Sequence, residues 1–140
     1  KTLNHEVIQN IGIEKSIQTE LARFEKLNFL QPHFKVTGTS KTINPKEEII
    51  LYRIVQEFFS NTIKHAEAEN LFVHLDYTKD SFTIKIKDDG VGFEMDNVQA
   101  NSGLLNMRSR AALVNATLDY ITAPDQGVEL ILKYPFAGEE

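Results

Sequence analysis

Asp88-Asp89-Gly90-Val91-Gly92-Phe93 sets two acids and two glycines where an alternating strand stops. Phe82, Ile84 and Ile86 share one parity of the preceding run, and Thr83, Lys85 and Lys87 share the other. That is the period-two pattern of a half-buried strand. Asp88 continues the apolar parity, so its carboxylate is expected to face the core. An unpaired charge there costs several kcal/mol, so Asp88 needs a donor. Two chemistries fit. Asp-Gly pairs end strands as plain turns in which the acid accepts backbone hydrogen bonds. Alternatively, Gly90 and Gly92 allow positive φ and let the flat face of a ligand approach the backbone, with Phe93 beside it as core or as a stacking platform.

A second candidate set lies on one helix. At 100° per residue, Leu51, Ile54, Val55, Phe58, Phe59, Thr62 and Ala66 fill one arc, while Arg53, Glu57, Asn61, Lys64 and His65 fill its neighbour. Glu57 and Asn61 are one turn apart, with Lys64 and His65 a turn further on. Such a face can hold a hydrated divalent cation through oxygen and steer a phosphate with its basic groups. It can equally be a solvated face with ordinary i,i+4 neighbours. A third set, Gly103-Leu104-Leu105-Asn106, reads as the opening of a helix, whose free N–H groups suit a phosphate. His5, His33 and His74 have no ligand-like spacing and read as surface or rim residues. There is no nucleophile elbow, glycine-lysine phosphate loop or zinc pattern.

Several elements must position these groups. Ile13, Ile17, Leu21 and Phe24 mark an amphipathic helix. Phe34 and Val36, followed by a turn at Gly38, suggest a short strand. Asn44-Pro45-Lys46-Glu47-Glu48 is a helix start with an Asn cap, Pro at the first helical position and acids in the first turn. This helix is expected to reach about Ala66. Strands are predicted over 71–77, 81–87 and 117–122, and from Val128 through Tyr134. The polar stretch between Phe93 and Gly103 reads as a mobile loop, and Leu104 to Val114 as a helix. Neighbouring strands with helices over one face give an α+β fold, a two-layer α/β sandwich.

At 140 residues the chain is one domain's worth, and 41% hydrophobic with 25% charged residues is a globular balance. A net charge of -5 with scattered basic residues argues against a nucleic-acid partner. The absence of cysteine excludes disulfides and thiolate metal sites. No apolar run reaches membrane-spanning length, so no direct membrane contact is expected from this segment. Lys1 stands where a start Met would, which suggests a segment of something longer.

The order of the three sets resembles a known family. Glu57-Phe58-Phe59-Ser60-Asn61-Thr62-Ile63-Lys64-His65-Ala66, then Asp88 to Phe93, then Gly103-Leu104-Leu105-Asn106-Met107-Arg108-Ser109-Arg110-Ala111 are similar to the ATP-binding domain of sensor histidine kinases. More narrowly, the chain resembles the short-lid branch that signals to helix-turn-helix response regulators, within the gyrase, Hsp90, histidine kinase and MutL superfamily. Leu51 to Glu57 and Leu3 to Val7 also resemble that branch, the latter resembling the linker that leaves the dimerisation helices. The resemblance implies a Bergerat-type ATP-binding fold with a mixed, mostly antiparallel sheet covered on one face. It implies that residues 1–12 are a linker from a dimerisation domain and 13–140 the ATP-binding domain. Asn61 would coordinate Mg²⁺, Glu57 would order metal-bound water, and Lys64 and His65 would lie near the phosphates. Asp88 would accept from the adenine amino group beside Gly90, Gly92 and Phe93. Gly103, Leu104 and Leu105 would bring helix N–H groups to the phosphates, with 94–102 as the lid. Implied partners are ATP, a histidine-bearing dimerisation domain of the same protein and, indirectly, a response regulator. The implied setting is the cytoplasmic part of a membrane-anchored sensor. The family's second glycine box usually has a glycine where Asn101 stands, and its last strand often has a threonine where Val128 stands. A catalytically weak nucleotide-binding module and an anti-sigma-type serine kinase share these boxes and remain alternatives.

Overall fold

The computed structural model describes residues 5–92 and 98–136. Its elements are α1 (His5–Lys26), β1 (Gln31–Thr37), α2 (Pro45–Asn61), a π-helical turn (Thr62–Ala66), β2 (Asn70–Tyr77), β3 (Ser81–Asp88), α3 (Val98–Ala112), β4 (Thr117–Thr122) and β5 (Val128–Pro135). The sheet order is β1-β2-β3-β5-β4, with β1 and β2 parallel and every other neighbouring pair antiparallel. A parallel pair needs a crossover, and α2 is that crossover. This is the expected α+β two-layer sandwich.

Alternation along each strand becomes rows across the sheet. Leu71, Asp88, Val128 and Thr122 align in one row, and Val73, Ile86, Leu130 and Tyr120 in the next. The third row is Leu75, Ile84, Leu132 and Leu118. The apolar side chains of these rows meet Ile13, Ile17, Leu21 and Phe24 of α1, Leu51, Ile54, Val55, Phe58 and Phe59 of α2, and Leu104, Met107 and Ala111 of α3 in one continuous core. The opposite parity, including Phe72, Lys85 and Lys87, is exposed on an open face.

Helix ends follow local chemistry. Asn44 Oδ1 accepts from Lys46 N at 2.9 Å and Glu47 N at 3.4 Å, capping α2 as its sequence demands. Helical structure reaches Ala66, but the last turn widens into the π form. In α1, Gly12 has φ 81° and ψ 168°, a break that only glycine accommodates easily. The restarted helix is capped from α2, where Glu48 Oε2 accepts from Ile13 N at 2.9 Å.

One element departs from expectation. α3 begins at Val98, not at Gly103, so 98–102 has helical backbone instead of forming the end of a loop. Val98-Gln99-Ala100-Asn101-Ser102 contains no proline or glycine to stop a helix from extending backwards out of Leu104. Residues 93–97, including Phe93, lie outside the described residues.

Candidate functional site

The Asp88 parity argument leads to a buried carboxylate, 1% exposed, at the end of β3. Gly90 N donates to Oδ1 at 2.9 Å, and Thr62 Oγ1 donates to Oδ2 at 3.3 Å. Burial pushes the carboxyl above the usual Asp range. Hydrogen bonds from Gly90, Thr62 and the Val128 backbone pull the other way, and the neighbouring Asp89 charge adds to the rise. An ionised carboxylate offers about four lone-pair directions. Acceptor capacity on Asp88 is therefore left over for a ligand donor.

Asp89, one parity out, does different work. It accepts from Glu69 N and Asn70 N at 2.9 Å each, and from Asn70 Nδ2 at 2.9 Å. Partial desolvation raises its carboxyl, yet these bonds bring it below the ordinary value. It is a clip joining the start of β2 to the end of β3, and Asn70 Oδ1 continues the chain to His33 Nε2 at 2.9 Å.

Beyond Asp89 the chain turns against the β4–β5 connection. Gly92 has φ 65°, and a Cβ there would meet Ala123 O at 2.2 Å. Gly127 is as tight, since its Cβ would lie 2.2 Å from Asp88 O. The close approach that these glycines allow is therefore of the chain to itself. Gly90 does not take a positive φ; its contribution is the N–H that orients Asp88.

Asn61 closes α2 at the same end of the molecule. Its Nδ2 lies 3.9 Å from where a Gly103 Cβ would stand, so the helix box and the second glycine box do meet. Among the described residues, neither the Glu57 nor the Asn61 side chain is committed to a hydrogen bond. Lys64 is exposed on the π turn, and the His65 side chain lies outside what is described. Leu104 is buried at 4% while Leu105 is 63% exposed. Because α3 starts at Val98, the amides of Gly103, Leu104 and Leu105 fall within its second turn, where helical geometry directs N–H groups to carbonyls four residues back. The free N–H groups expected there belong to 98–101 instead.

Two residues escaped the sequence reading. Thr62 shares the apolar arc of its helix and is buried at 4%, but its hydroxyl faces Asp88. A hydroxyl among seven arc positions facing a strand-end acid was the available signal. Tyr120, inward on β4, packs edge-on to Phe58 at 6.3 Å between ring centroids. Burial pushes its hydroxyl pKa upward, and the Asp88 charge adds to the rise.

Among the described residues, no cluster of three His, Asp or Glu side chains could cage a metal. Oxygens of Asn61 and Glu57 suit a cation that keeps most of its water and takes further ligands from a phosphate, as Mg²⁺ does. A groove of about 360 Å³ lies elsewhere, on the open sheet face, lined by His33, Lys35, Phe72, Lys85, Lys87 and Glu129 among others. His33 stacks on Phe72 there at 4.6 Å. None of the residues singled out for chemistry lines it. No helix among the described residues is long and apolar enough to cross a membrane.

The sequence profile of the histidine kinase-, DNA gyrase B-, and HSP90-like ATPases matches residues 46–138, which take in α2, the Asp88 loop, α3 and the last two strands. Over 139 residues the chain is 31% identical to the signal transduction histidine-protein kinase/phosphatase DegS of Brevibacillus brevis, covering 99% of this chain and 36% of that protein. It is 30% identical over 134 residues to the sensor histidine kinase LiaS of Bacillus subtilis, covering 95% of this chain and 37% of that one. The chain thus spans little more than a third of these relatives. The Acinetobacter baumannii histidine kinase AdeS shares the fold, with a TM-score of 0.71 at 15% identity over 96% of this chain and 74% of that chain. Profile, relatives and fold agree: the chain belongs to the histidine kinase-, DNA gyrase B- and HSP90-like ATPase family, as an ATP-binding domain of the sensor histidine kinase type.

Proposed function

We propose that this chain is the ATP-binding half of a sensor histidine kinase, holding Mg-ATP between the α2 end and the Asp88 loop. The γ-phosphoryl group goes to a histidine on a separate dimerisation domain, and from there to a response regulator. In that transfer the bond from the γ-phosphorus to its bridging oxygen breaks, a bond to the imidazole nitrogen forms, and ADP leaves. Little covalent chemistry falls to the protein, whose part is positioning and charge neutralisation. The observation that carries this reading is the buried Asp88 carboxylate with acceptor capacity left after Gly90 and Thr62 have donated. Its open lone pairs accept the adenine amino group.

Asn61 and Glu57 would hold the Mg²⁺ and its water, which neutralises phosphate charge when bound. By the family resemblance, Lys64 and His65 would lie near the phosphates, and Gly90, Gly92 and Phe93 would lie beside the base. The resemblance would put Gly103, Leu104 and Leu105 on the phosphate side after a lid at 94–102, of which 98–102 is already the first turn of α3. Residues 1–12 are the linker and 13–140 the domain, a division supported by the break at Gly12. The whole protein is a membrane-anchored sensor with this part in the cytoplasm. His5 belongs to the linker, so the phosphorylated histidine lies elsewhere.

Asn61→Ala is expected to abolish the Mg²⁺-dependent part of ATP binding in calorimetry. Unchanged affinity with and without Mg²⁺ would refute the metal role. A second reading, a nucleotide-regulated module without transfer activity, is favoured by the enclosure of the 103–105 amides inside α3. Incubation with radiolabelled ATP and a separately supplied dimerisation domain separates the two, since only the kinase labels the histidine.

A further inference from the structure

In its own row across the sheet, Asp88 has no side-chain donor directly beside it. Its neighbours in the inward row are Leu71 and Val128, hydrocarbons that are 0% and 7% exposed. Thr122, the next residue in that row, donates its hydroxyl to Gly127 O at 2.9 Å. The hydroxyl that does reach Asp88 comes from the opposite layer, where the π turn begins at Thr62. Thr62 N still bonds back to Phe58 O and Phe59 O, so its backbone is fixed by α2. A β-branched side chain on fixed backbone has few χ1 choices, and the hydroxyl direction is fixed with it.

Gly90 N holds one Asp88 oxygen and Thr62 Oγ1 the other. Donors on both oxygens define the plane of the carboxylate before any ligand arrives. The Thr62 bond, at 3.3 Å, is longer than usual for a hydroxyl donor. Hydrogen bonds in ligand-free sites are often long and tighten on binding.

We propose that Thr62 is a positioning residue for base recognition, its hydroxyl orienting the Asp88 carboxylate from the helix layer because the sheet row supplies no hydroxyl at Val128. The proposal rests on the reading of Asp88 as the acceptor of the adenine amino group. It adds that purine selectivity depends on a side chain that need not touch the base.

The test compares Mg-ATP with Mg-ITP, which carries a keto oxygen where adenine has its amino group, by calorimetric titration of this chain. Wild type should prefer ATP. Thr62→Val, nearly isosteric, should cut the ATP-to-ITP preference by roughly tenfold, the worth of one charge-assisted hydrogen bond. Thr62→Ser should keep the preference. Val128→Thr added to Thr62→Val should restore much of it, by returning a hydroxyl to the residue beside Asp88. Should Thr62→Val not fold, Thr62→Ala against Thr62→Ser makes the same comparison. If Asp88→Asn collapses the preference while Thr62→Val leaves it intact, the positioning role is wrong and the Asp88 reading stands. If Thr62→Val weakens ATP and ITP equally and Val128→Thr restores nothing, Thr62 is merely structural and the proposal fails. If Asp88→Asn leaves the preference untouched, the base reading falls and this inference with it.

Discussion

Asp88 carries opposed consequences for stability and binding. Its folded carboxyl titrates above the ordinary Asp value, with burial as the largest cause. Within that window the folded chain holds a proton that the unfolded chain has released. Asp88's contribution is therefore fully present below the ordinary Asp value and is lost as pH climbs through the raised one. Asn can keep the Gly90 bond through its oxygen and meet the Thr62 hydroxyl with its amide. Asp88→Asn should thus melt no lower than wild type at neutral pH and show a flatter melting profile as pH rises above the ordinary Asp value. A steeper profile in the variant would contradict the shift. Adenosine, which has no phosphate to titrate, should bind wild type better as pH rises through the same window. The burial of Asp88 was legible from strand parity alone, because one residue of register decides which face a side chain takes. Its donor was not legible, because helical periodicity sorts residues by face and gives a buried hydroxyl the same weight as a methyl.

Elements carry their own tests. Gly12 lies at φ 81° and ψ 168°, where a Cβ strains the backbone even though its nearest contact, Glu48 Oε2 at 3.6 Å, is ordinary. Gly12→Ala should cost about 1–3 kcal/mol, read as a lower urea midpoint at unchanged slope. A neutral result would mean that the kink relaxes into continuous helix. Asn44→Ala should cost about 1 kcal/mol through loss of the α2 cap, again read from the urea midpoint. The α2 cap, the strands and the buried faces could be read directly because each is written in adjacent residues. The start of α3 could not, since nothing in 98–102 marks a cap that its neighbours would respect. The π turn was equally hidden: Thr62–Ala66 continues the helical pattern, and widening by one residue leaves no trace in hydrophobic spacing.

At the scale of the whole molecule, one core joins both layers, and the candidate site lies at its edge, where α2, β3 and the β4–β5 connection end. Phe58 touches that core and Tyr120 together, so Phe58→Ala should cost about 3–5 kcal/mol. Mg-ATP at a hundred times its dissociation constant should stabilise the fold by about 2.7 kcal/mol through linkage, and thermal melts with and without nucleotide check it. The fold class followed from the order of alternating and helical stretches, and the family from three short boxes in sequence. How the boxes meet did not follow, because contacts such as Asn61 with Gly103 depend on the crossover of α2 and the placement of α3. The central claim is that the Asp88 loop reads an adenine amino group. The most direct test is calorimetric titration of the wild-type chain and Asp88→Asn with Mg-ATP and Mg-ITP. Wild type should favour ATP and Asp88→Asn should lose or reverse that preference, whereas equal affinity of wild type for both nucleotides would contradict the account.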